Sequence, residues 1–123
     1  WGHVHDILAV VATLQGRHDE AIAWARAAFD DLRRQGDELR LLETLALNAA
    51  LHGRMADAAV VVGFVDAEAA RTGEVRWPPT AERRARLDAL LAAAPGDLAG
   101  RRDAGTRASV EQAFAHAFGD ATP

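Results

Sequence analysis

Apolar residues recur at three- and four-residue steps along most of this 123-residue chain. This spacing places them on one face of a helix, and no segment shows the sustained apolar–polar alternation that a half-buried strand needs. The pattern therefore predicts an all-α fold. We predict helices over about residues 2–15, 19–34, 37–52 and 56–71, a fifth that begins at Thr80, a short sixth from Pro95 to before Gly105, and a seventh from Ser109 to Gly119.

The same spacing predicts which side chains are buried. Each of the first two helices has one apolar face that is expected to pack against its neighbours. A glycine follows each face, where a helix commonly ends in the left-handed conformation. The first face consists of Val4, Ile7, Leu8, Val11 and Leu14, the second consists of Ile22, Ala25, Phe29 and Leu32, and the glycines are Gly16 and Gly36.

The fourth predicted helix is apolar around nearly its whole circumference between Val60 and Val65. We therefore expect it to be buried on more than one side. Gly63 interrupts this run, and a glycine inside a helix costs about 1 kcal/mol relative to alanine. The close approach of a neighbouring helix is the expected reason for this glycine.

The last third of the chain has different signals. The Trp-Pro-Pro sequence at residues 77–79 predicts a stiff extended connector, with Thr80 capping the helix that follows. That helix is expected to expose three arginines, Arg84 among them, and to bury its leucines. Ser109 and Gln112 have the spacing of a capping box at the start of the last helix.

One motif occurs twice. The sequence L-x-G-R-x-x-x-A begins at Leu14 and again at Leu51, an offset of 37 residues, and each copy lies between two predicted helices. Self-similarity at this period is typical of helical-hairpin repeats, in which each hairpin buries its face against the next. Because such repeats are usually binding scaffolds, the motif favours binding over catalysis.

The first copy resembles the tetratricopeptide repeat. The run from Gln15 to Ile22 is similar to that family's inter-helix turn, with His18 in place of the usual aromatic residue. The second copy has Met55 in that place. Both copies lack the family's proline after the second helix, and the spacing between them exceeds the family's usual period of about 34 residues. The residues that carry the resemblance, together with the helix-interior Gly63, have structural roles in the repeat. They are Gly16, Ala21, Ala28, Gly53, Ala58 and Gly63.

A second resemblance covers roughly residues 37–118. The run 62–67, the Pro-Pro connector and the final Ser-Val-Glu-Gln-Ala at 109–113 follow one another as in the C-terminal end of large bacterial transcriptional regulators of the LuxR and antibiotic-regulator types. The resemblance implies a regulatory module. Because the sequence shows no signal peptide and no long apolar run, we expect this module to be cytoplasmic. Because the sequence begins with Trp1, we expect it to be a fragment of such a regulator, with nucleotide- and DNA-binding domains elsewhere.

We accordingly divide the chain into four parts. Residues 1–73 form two degenerate hairpins, and residues 74–79 form the Pro-Pro linker. Residues 80–119 form a C-terminal helical extension packed on the repeats, and residues 120–123 form a frayed tail.

Composition argues against chemistry and against nucleic acid. The formal charge is −4, and the 14 positive charges, all arginine, form no basic block, whereas nucleic-acid binding needs a concentrated basic surface. Without cysteine there is no disulfide or thiolate site. His3 and His5 are too close in sequence to share a helix face, and Ser109 is already assigned to a cap. We expect no enzymatic activity, metal or cofactor, and no apolar run approaches the length of a membrane span.

Peptide or protein binding is the leading functional prediction. In tetratricopeptide proteins the first helix of each hairpin lines a concave groove. Acidic and apolar residues stand here where well-known members grip a terminal carboxylate, so we predict a mixed polar and apolar peptide, or a neighbouring helix, instead. The candidate groove residues are His3, Asp6, Val10, Thr13, Arg40, Glu43, Leu47 and Ala50.

Three functions remain open at this point. An exposed apolar surface would favour a protein-interaction module, and a groove filled by the final helix would favour a structural cap of a longer array. A closed cavity with converging polar groups would favour a small-molecule sensor. Because repeats bury their faces against neighbours, we also expect self-association through the N-terminal hairpin or the last helix. A homodimer is one form that this association could take.

Overall fold

A computed structural model describes residues 2–73 and 78–120, except for the side chains of residues 2, 3, 78 and 79. Within these residues the chain forms seven α-helices and no β-strand, as the apolar spacing predicts. The frayed tail expected at 120–123 lies outside the described residues from 121 onward, as does Trp77. The helices are α1 Gly2–Leu14, α2 His18–Gln35, α3 Glu38–Leu51, α4 Met55–Thr72, α5 Pro78–Ala93, α6 Leu98–Thr106 and α7 Val110–Phe118.

The C-terminal ends of α2 and α4 follow the sequence signals closely. Gly36, whose φ of 77° lies in the left-handed region, caps α2, and Gly73 caps α4 in the same way. Beyond Gly36, the Asp37 N–H donates to the Leu32 carbonyl at 2.9 Å. This bond satisfies one of the carbonyl groups that a helix end leaves without a partner.

Helix α3 lies at the centre of the fold. α1 packs on α2 and α3 packs on α4, while α3 also contacts α1, α2, α5 and α7. Every residue from Leu41 to Ala50 is buried. The core is rich in alanine, and these small side chains let the helices approach closely.

The buried face of α2 differs from the prediction. Ala25 and Leu32 are buried as expected, but Ile22 and Phe29 are only half-buried. Ala21 and Ala28 take the inner positions instead, because close contact with α1 and α3 leaves room there only for small side chains.

Helices α4 and α6 cross with their backbones in contact. A Cβ atom built on Gly63 would lie 2.0 Å from the Arg102 carbonyl oxygen, and one on Gly105 would lie 2.0 Å from the Val60 carbonyl oxygen. The prediction that Gly63 permits the approach of a neighbouring helix is confirmed. So is the burial of α4, which is complete from Ala58 to Val65.

The predicted Pro-Pro linker is wrong at Pro78 and Pro79, because α5 begins at Pro78. Proline fits the first turn of a helix, since its fixed φ is helical and the N–H it lacks has no partner there. Thr80 is therefore inside the first turn and is not the cap.

The start of α6 was also misplaced in the prediction. This helix begins at Leu98, where the Gly100 N–H donates to the Asp97 carboxylate at 3.0 Å, and it runs past Gly105. A carboxylate that caps the backbone N–H groups is a stronger start signal than the proline at 95. The capping box of α7 is confirmed, with Ser109 and Gln112 hydrogen-bonded reciprocally at 2.9 and 3.1 Å.

Candidate interaction surface

The residues predicted for the concave groove do not line an open surface. Val10 and Arg40 are half-buried, and the side chain of His3 lies outside the described residues. Arg40 Nε lies 3.3 Å from the Asp6 carboxylate, and a carboxylate oxygen of Glu43 lies 3.2 Å from Arg84 of α5. The chain itself therefore covers these positions. The buried residues of the set are Asp6, Thr13, Glu43, Leu47 and Ala50.

Arg84 anchors α5 on α3 and α4. Its guanidinium donates to both carboxylate oxygens of Asp66 at 2.7 and 2.6 Å, to Asp88 at 2.8 Å and to Glu43 at 3.2 Å. Burial lowers the pKa of Arg84, but the hydrogen bonds and charges of Asp66 and Asp88 outweigh burial and raise it overall. The expectation that Arg84 is exposed is wrong. Its position three residues before Leu87 places it on the buried face of the helix.

Helix α1 turns its apolar face to solvent. Val4 is 48% exposed, Ile7 62%, Val11 38% and Leu14 47%, and these are the large apolar side chains that the described residues expose. The expectation that this face is buried is wrong for all four, and Leu8 is only half-buried. The side chains that α1 buries instead are Asp6, Ala9, Ala12 and Thr13.

Close packing explains this reversal. Ala9 and Ala12 are fully buried and let the α1 backbone approach α2, which bulkier side chains would prevent. His5 stacks on Trp24 with ring centroids 5.6 Å apart, and Asp6 reaches Arg40. The inner face is thus set by size and by polar contacts, so the branched aliphatic residues remain outside.

We name the four exposed residues Val4, Ile7, Val11 and Leu14 the α1 seam. Their steps of three, four and three residues match the a and d positions of a coiled-coil heptad, with valine at both a positions. No charged side chain belongs to the seam. A helix with this pattern is suited to pack its a and d side chains against another helix.

The two copies of the repeated motif meet through their histidines. The rings of His18 and His52 lie 4.1 Å apart, and the fully buried Asn48 donates from Nδ2 to His18 Nδ1 at 2.8 Å. Burial, then the nearby His52 and Arg54, lower the pKa of His18 below its ordinary value. These residues join the turn after α1 to the end of α3.

The arginine of the second motif copy holds the last helix in place. Arg54 donates to the carbonyl oxygens of His116 and Ala117 at 3.2 and 3.4 Å, at the C-terminal end of α7. It also donates to Asp57 at 3.0 Å, and Asp57 lies 2.8 Å from His116 Nδ1. In the first copy Arg17 pairs with Glu20 instead. The second motif therefore has a structural role that the sequence alone did not indicate.

An open cleft of about 490 Å³ lies between α2 and α7. Its floor consists of Phe29, Phe114 and Phe118, whose rings contact one another edge-on or stacked. Two ion pairs cross it, from Arg26 to Asp120 at 2.9 Å and from Arg33 to Glu111 at 3.1 Å. Its guanidinium groups already have carboxylate partners, and the cleft is not the closed cavity expected of a ligand sensor.

The described residues contain neither a cluster suited to bind a metal ion nor a membrane-spanning helix. Among residues 2–73 and 78–120, no group of three or more histidine and carboxylate side chains could hold a metal ion, and no helix in these ranges is long and apolar enough to cross a membrane. No protein-family model, curated protein or solved structure shows significant similarity to this chain. The likeness to tetratricopeptide repeats and to bacterial regulators therefore stays a prediction from sequence motifs.

Proposed function

We propose that this chain is a non-catalytic protein-interaction module whose contact surface is the α1 seam. The observation that carries the proposal is the exposure of four branched aliphatic side chains along one helix, each between 38% and 62%. Covering all four would contribute about 3–6 kcal/mol. Contiguous apolar surface on a soluble domain commonly marks a site of contact with another protein.

The character of the seam limits the partner. Four aliphatic side chains give no advantage to an anionic peptide terminus or to nucleic acid. An apolar helix surface, by contrast, can fill the spaces between the seam side chains. The module therefore binds a protein through hydrophobic contact and needs no cofactor.

Two similar ion pairs, whose carboxylates but not whose arginines follow the 37-residue offset, support a tetratricopeptide-like arrangement for this module. Asp6 of α1 pairs with Arg40 of α3, and Glu43 of α3 pairs with Arg84 of α5. Asp6 and Glu43 are separated by the 37-residue offset of the repeat. In this proposal α1, α3 and α5 are successive first helices of stacked hairpins, and each carboxylate joins one helix to the next.

The position of α5 supports a second candidate function. Because Arg84 of α5 covers Glu43, the predicted groove is closed by the chain itself. In this alternative the C-terminal helices are a structural cap that ends a helical array and has no ligand of its own. The cap and the interaction module are compatible, since they use opposite ends of the fold. The sensor function has less support, because the cleft between α2 and α7 is open.

The wider setting is a bacterial transcriptional or signalling regulator in the cytoplasm. Its support is the order of sequence motifs along residues 37–118. In such a regulator the module would sense a partner protein, hold the regulator inactive or join protomers.

Site-specific crosslinking followed by a binding titration tests the proposed function. A photoreactive residue is placed at Ile7, or at the exposed Asp30 as a control position. The protein that crosslinks at each position is identified and purified, and its affinity for this chain is measured. Partner binding through position 7 should weaken about tenfold or more in the I7E/V11E variant, because each glutamate must be buried without a partner.

The matched control is A85E/A89E, which places two glutamates at the same four-residue spacing on the exposed face of α5. It should bind like the wild type. If I7E/V11E binds the partner as tightly as this control, the seam is not the contact surface. If no protein crosslinks through position 7 above the level at position 30, the interaction function itself is wrong.

A further inference from the structure

The first hairpin, α1 with α2, is attached to α3 by polar contacts near both ends of α1. Near the start of α1, Asp6 lies 3.3 Å from Arg40 of α3. At the turn that follows α1, His18 lies against the end of α3, where it contacts Asn48 and His52. Between these ends the first hairpin buries mainly alanine. The two polar contacts differ in kind, because the second one consists of imidazole rings that can gain a proton near neutral pH.

The position of His18 favours its uncharged form. The centroid of the His52 ring lies 4.1 Å from that of His18, so two imidazolium charges would repel each other at close range. His18 is also the first residue of α2, where the partial positive charge of the helix end opposes a cation. The buried Asn48 accommodates either form, since its amide can donate to a neutral Nδ1 atom or, turned over, accept from a protonated one.

The groups that act on His18 come from three parts of the chain. Burial lowers the pKa of His18 most, and His52 at the end of α3 and Arg54 before α4 lower it further. Asp19, on α2 itself, and the hydrogen bond with Asn48 act in the opposite direction but do not outweigh these effects. When the turn moves away from α3, burial and the two cationic neighbours lose their effect, and the pKa of His18 returns to its ordinary value of 6.5.

We propose that the contact between His18 and His52 is a proton-sensitive clasp, through which acidification opens the first hairpin from the end of α3 while the remaining helices stay folded. This inference is independent of the proposed function. The contact between Asp6 and Arg40 holds the other end of α1, so the hairpin swings about that end. Since opening lets His18 bind one proton, the equilibrium constant for opening rises by up to about tenfold for each pH unit below 6.5.

The last helix responds to a proton in the opposite sense. His116 of α7 lies 2.8 Å from the Asp57 carboxylate of α4, where a proton on the imidazole ring gives a charge-assisted hydrogen bond. Arg84 holds α5 on α3 and α4 through carboxylates and not through imidazole rings. Mild acidification therefore loosens the first hairpin before it loosens the C-terminal helices.

Distances between paired spin labels test the clasp. The chain has no cysteine, so A23C with A56C labels exposed positions on α2 and α4, on either side of the clasp. The matched control, A56C with A104C, keeps the label on α4 and places the other on an exposed position of α6. Between about pH 7 and 5 the first pair should gain a population at longer distance, which grows by up to about tenfold per pH unit. The control pair should keep one distance.

Substitutions in the A23C/A56C protein assign the response to the clasp. H18Q should abolish the longer distance, because glutamine can hydrogen-bond but does not gain a charge. H52Q should reduce the longer population without abolishing it, because burial and Arg54 still act on His18. H5Q changes a histidine that stacks on Trp24 within the same hairpin, and it should respond like the wild type.

Three results would overturn the inference. The first is an unchanged distance between positions 23 and 56 at about pH 5. The second is a pH response that H18Q retains. The third is a lengthening of both label distances together, which would mean that the whole fold opens and that the first hairpin has no clasp of its own.

Discussion

Replacing Gly63 with alanine tests the closest helix contact in the fold. In an isolated helix this change is favourable by about 1 kcal/mol. In this protein the new Cβ atom would lie 2.0 Å from the Arg102 carbonyl oxygen. Carbon and carbonyl oxygen normally approach no closer than about 3.3 Å, and the obstacle is backbone that cannot rotate away.

The expected cost follows from this distance. To accept the methyl group, α4 and α6 must separate by about 1 Å, which loosens the contacts along their crossing. Overpacking of this kind costs about 1–3 kcal/mol. Since the helix-propensity gain of about 1 kcal/mol offsets part of this cost, we expect G63A to destabilise the protein by about 1 kcal/mol, and by no more than about 2 kcal/mol. G105A meets the Val60 carbonyl oxygen at the same 2.0 Å and should behave alike.

Urea unfolding followed by circular dichroism measures both effects. Because one separation of the helices accommodates both methyl groups, the double variant G63A/G105A should lose less stability than the sum of the two single losses. A70G, at an exposed position of α4, gives the intrinsic cost of a helical glycine in this protein. If G63A is as stable as the wild type or more stable, the α4–α6 contact is not as close as described.

Two further predictions concern charge. Burial, His52 and Arg54 lower the pKa of His18 below its ordinary value of 6.5, so the folded state binds fewer protons than the unfolded state. The contribution of His18 to stability is therefore complete above about pH 6.5 and is lost as the pH drops toward the lowered pKa. H18Q should make the urea midpoint depend less on pH between about pH 7 and 5. An unchanged pH dependence of the midpoint would contradict this. R84M removes the buried guanidinium that pairs with Glu43, Asp66 and Asp88 and should cost about 3 kcal/mol in urea unfolding. R71M, at an exposed ion pair, should leave the urea midpoint nearly unchanged, and similar midpoints for the two variants would refute the role of the buried network.

Much of the helical layout could be predicted because its causes are local. Gly36 and Gly73 end helices through their own backbone freedom, and Ser109 with Gln112 forms a cap from four consecutive residues. The role of Gly63 was also predictable. An unfavourable residue within a strongly apolar helix needs a compensating contact, and α6 provides it.

The exposure of the α1 seam could not be predicted in the same way. The spacing of Val4, Ile7, Val11 and Leu14 defines an apolar face, but spacing does not reveal whether a neighbour exists to cover it. The burial of Glu43 could not be predicted either, because Arg84, with which it pairs, lies 41 residues later on a helix expected to expose it. Pairings of this range depend on how α5 docks, which no local pattern encodes.

The helices, most of their ends and the glycine that lets α4 and α6 meet follow from local sequence, because backbone geometry and apolar spacing act within a few residues. Which helix faces are covered depends instead on how the helices pack against one another. The alanines of α1 allow close packing against its neighbours on the side opposite the aliphatic residues, because a core needs side chains that fit as well as ones that are hydrophobic. That choice leaves the α1 seam exposed and makes it the surface through which we propose that the protein acts.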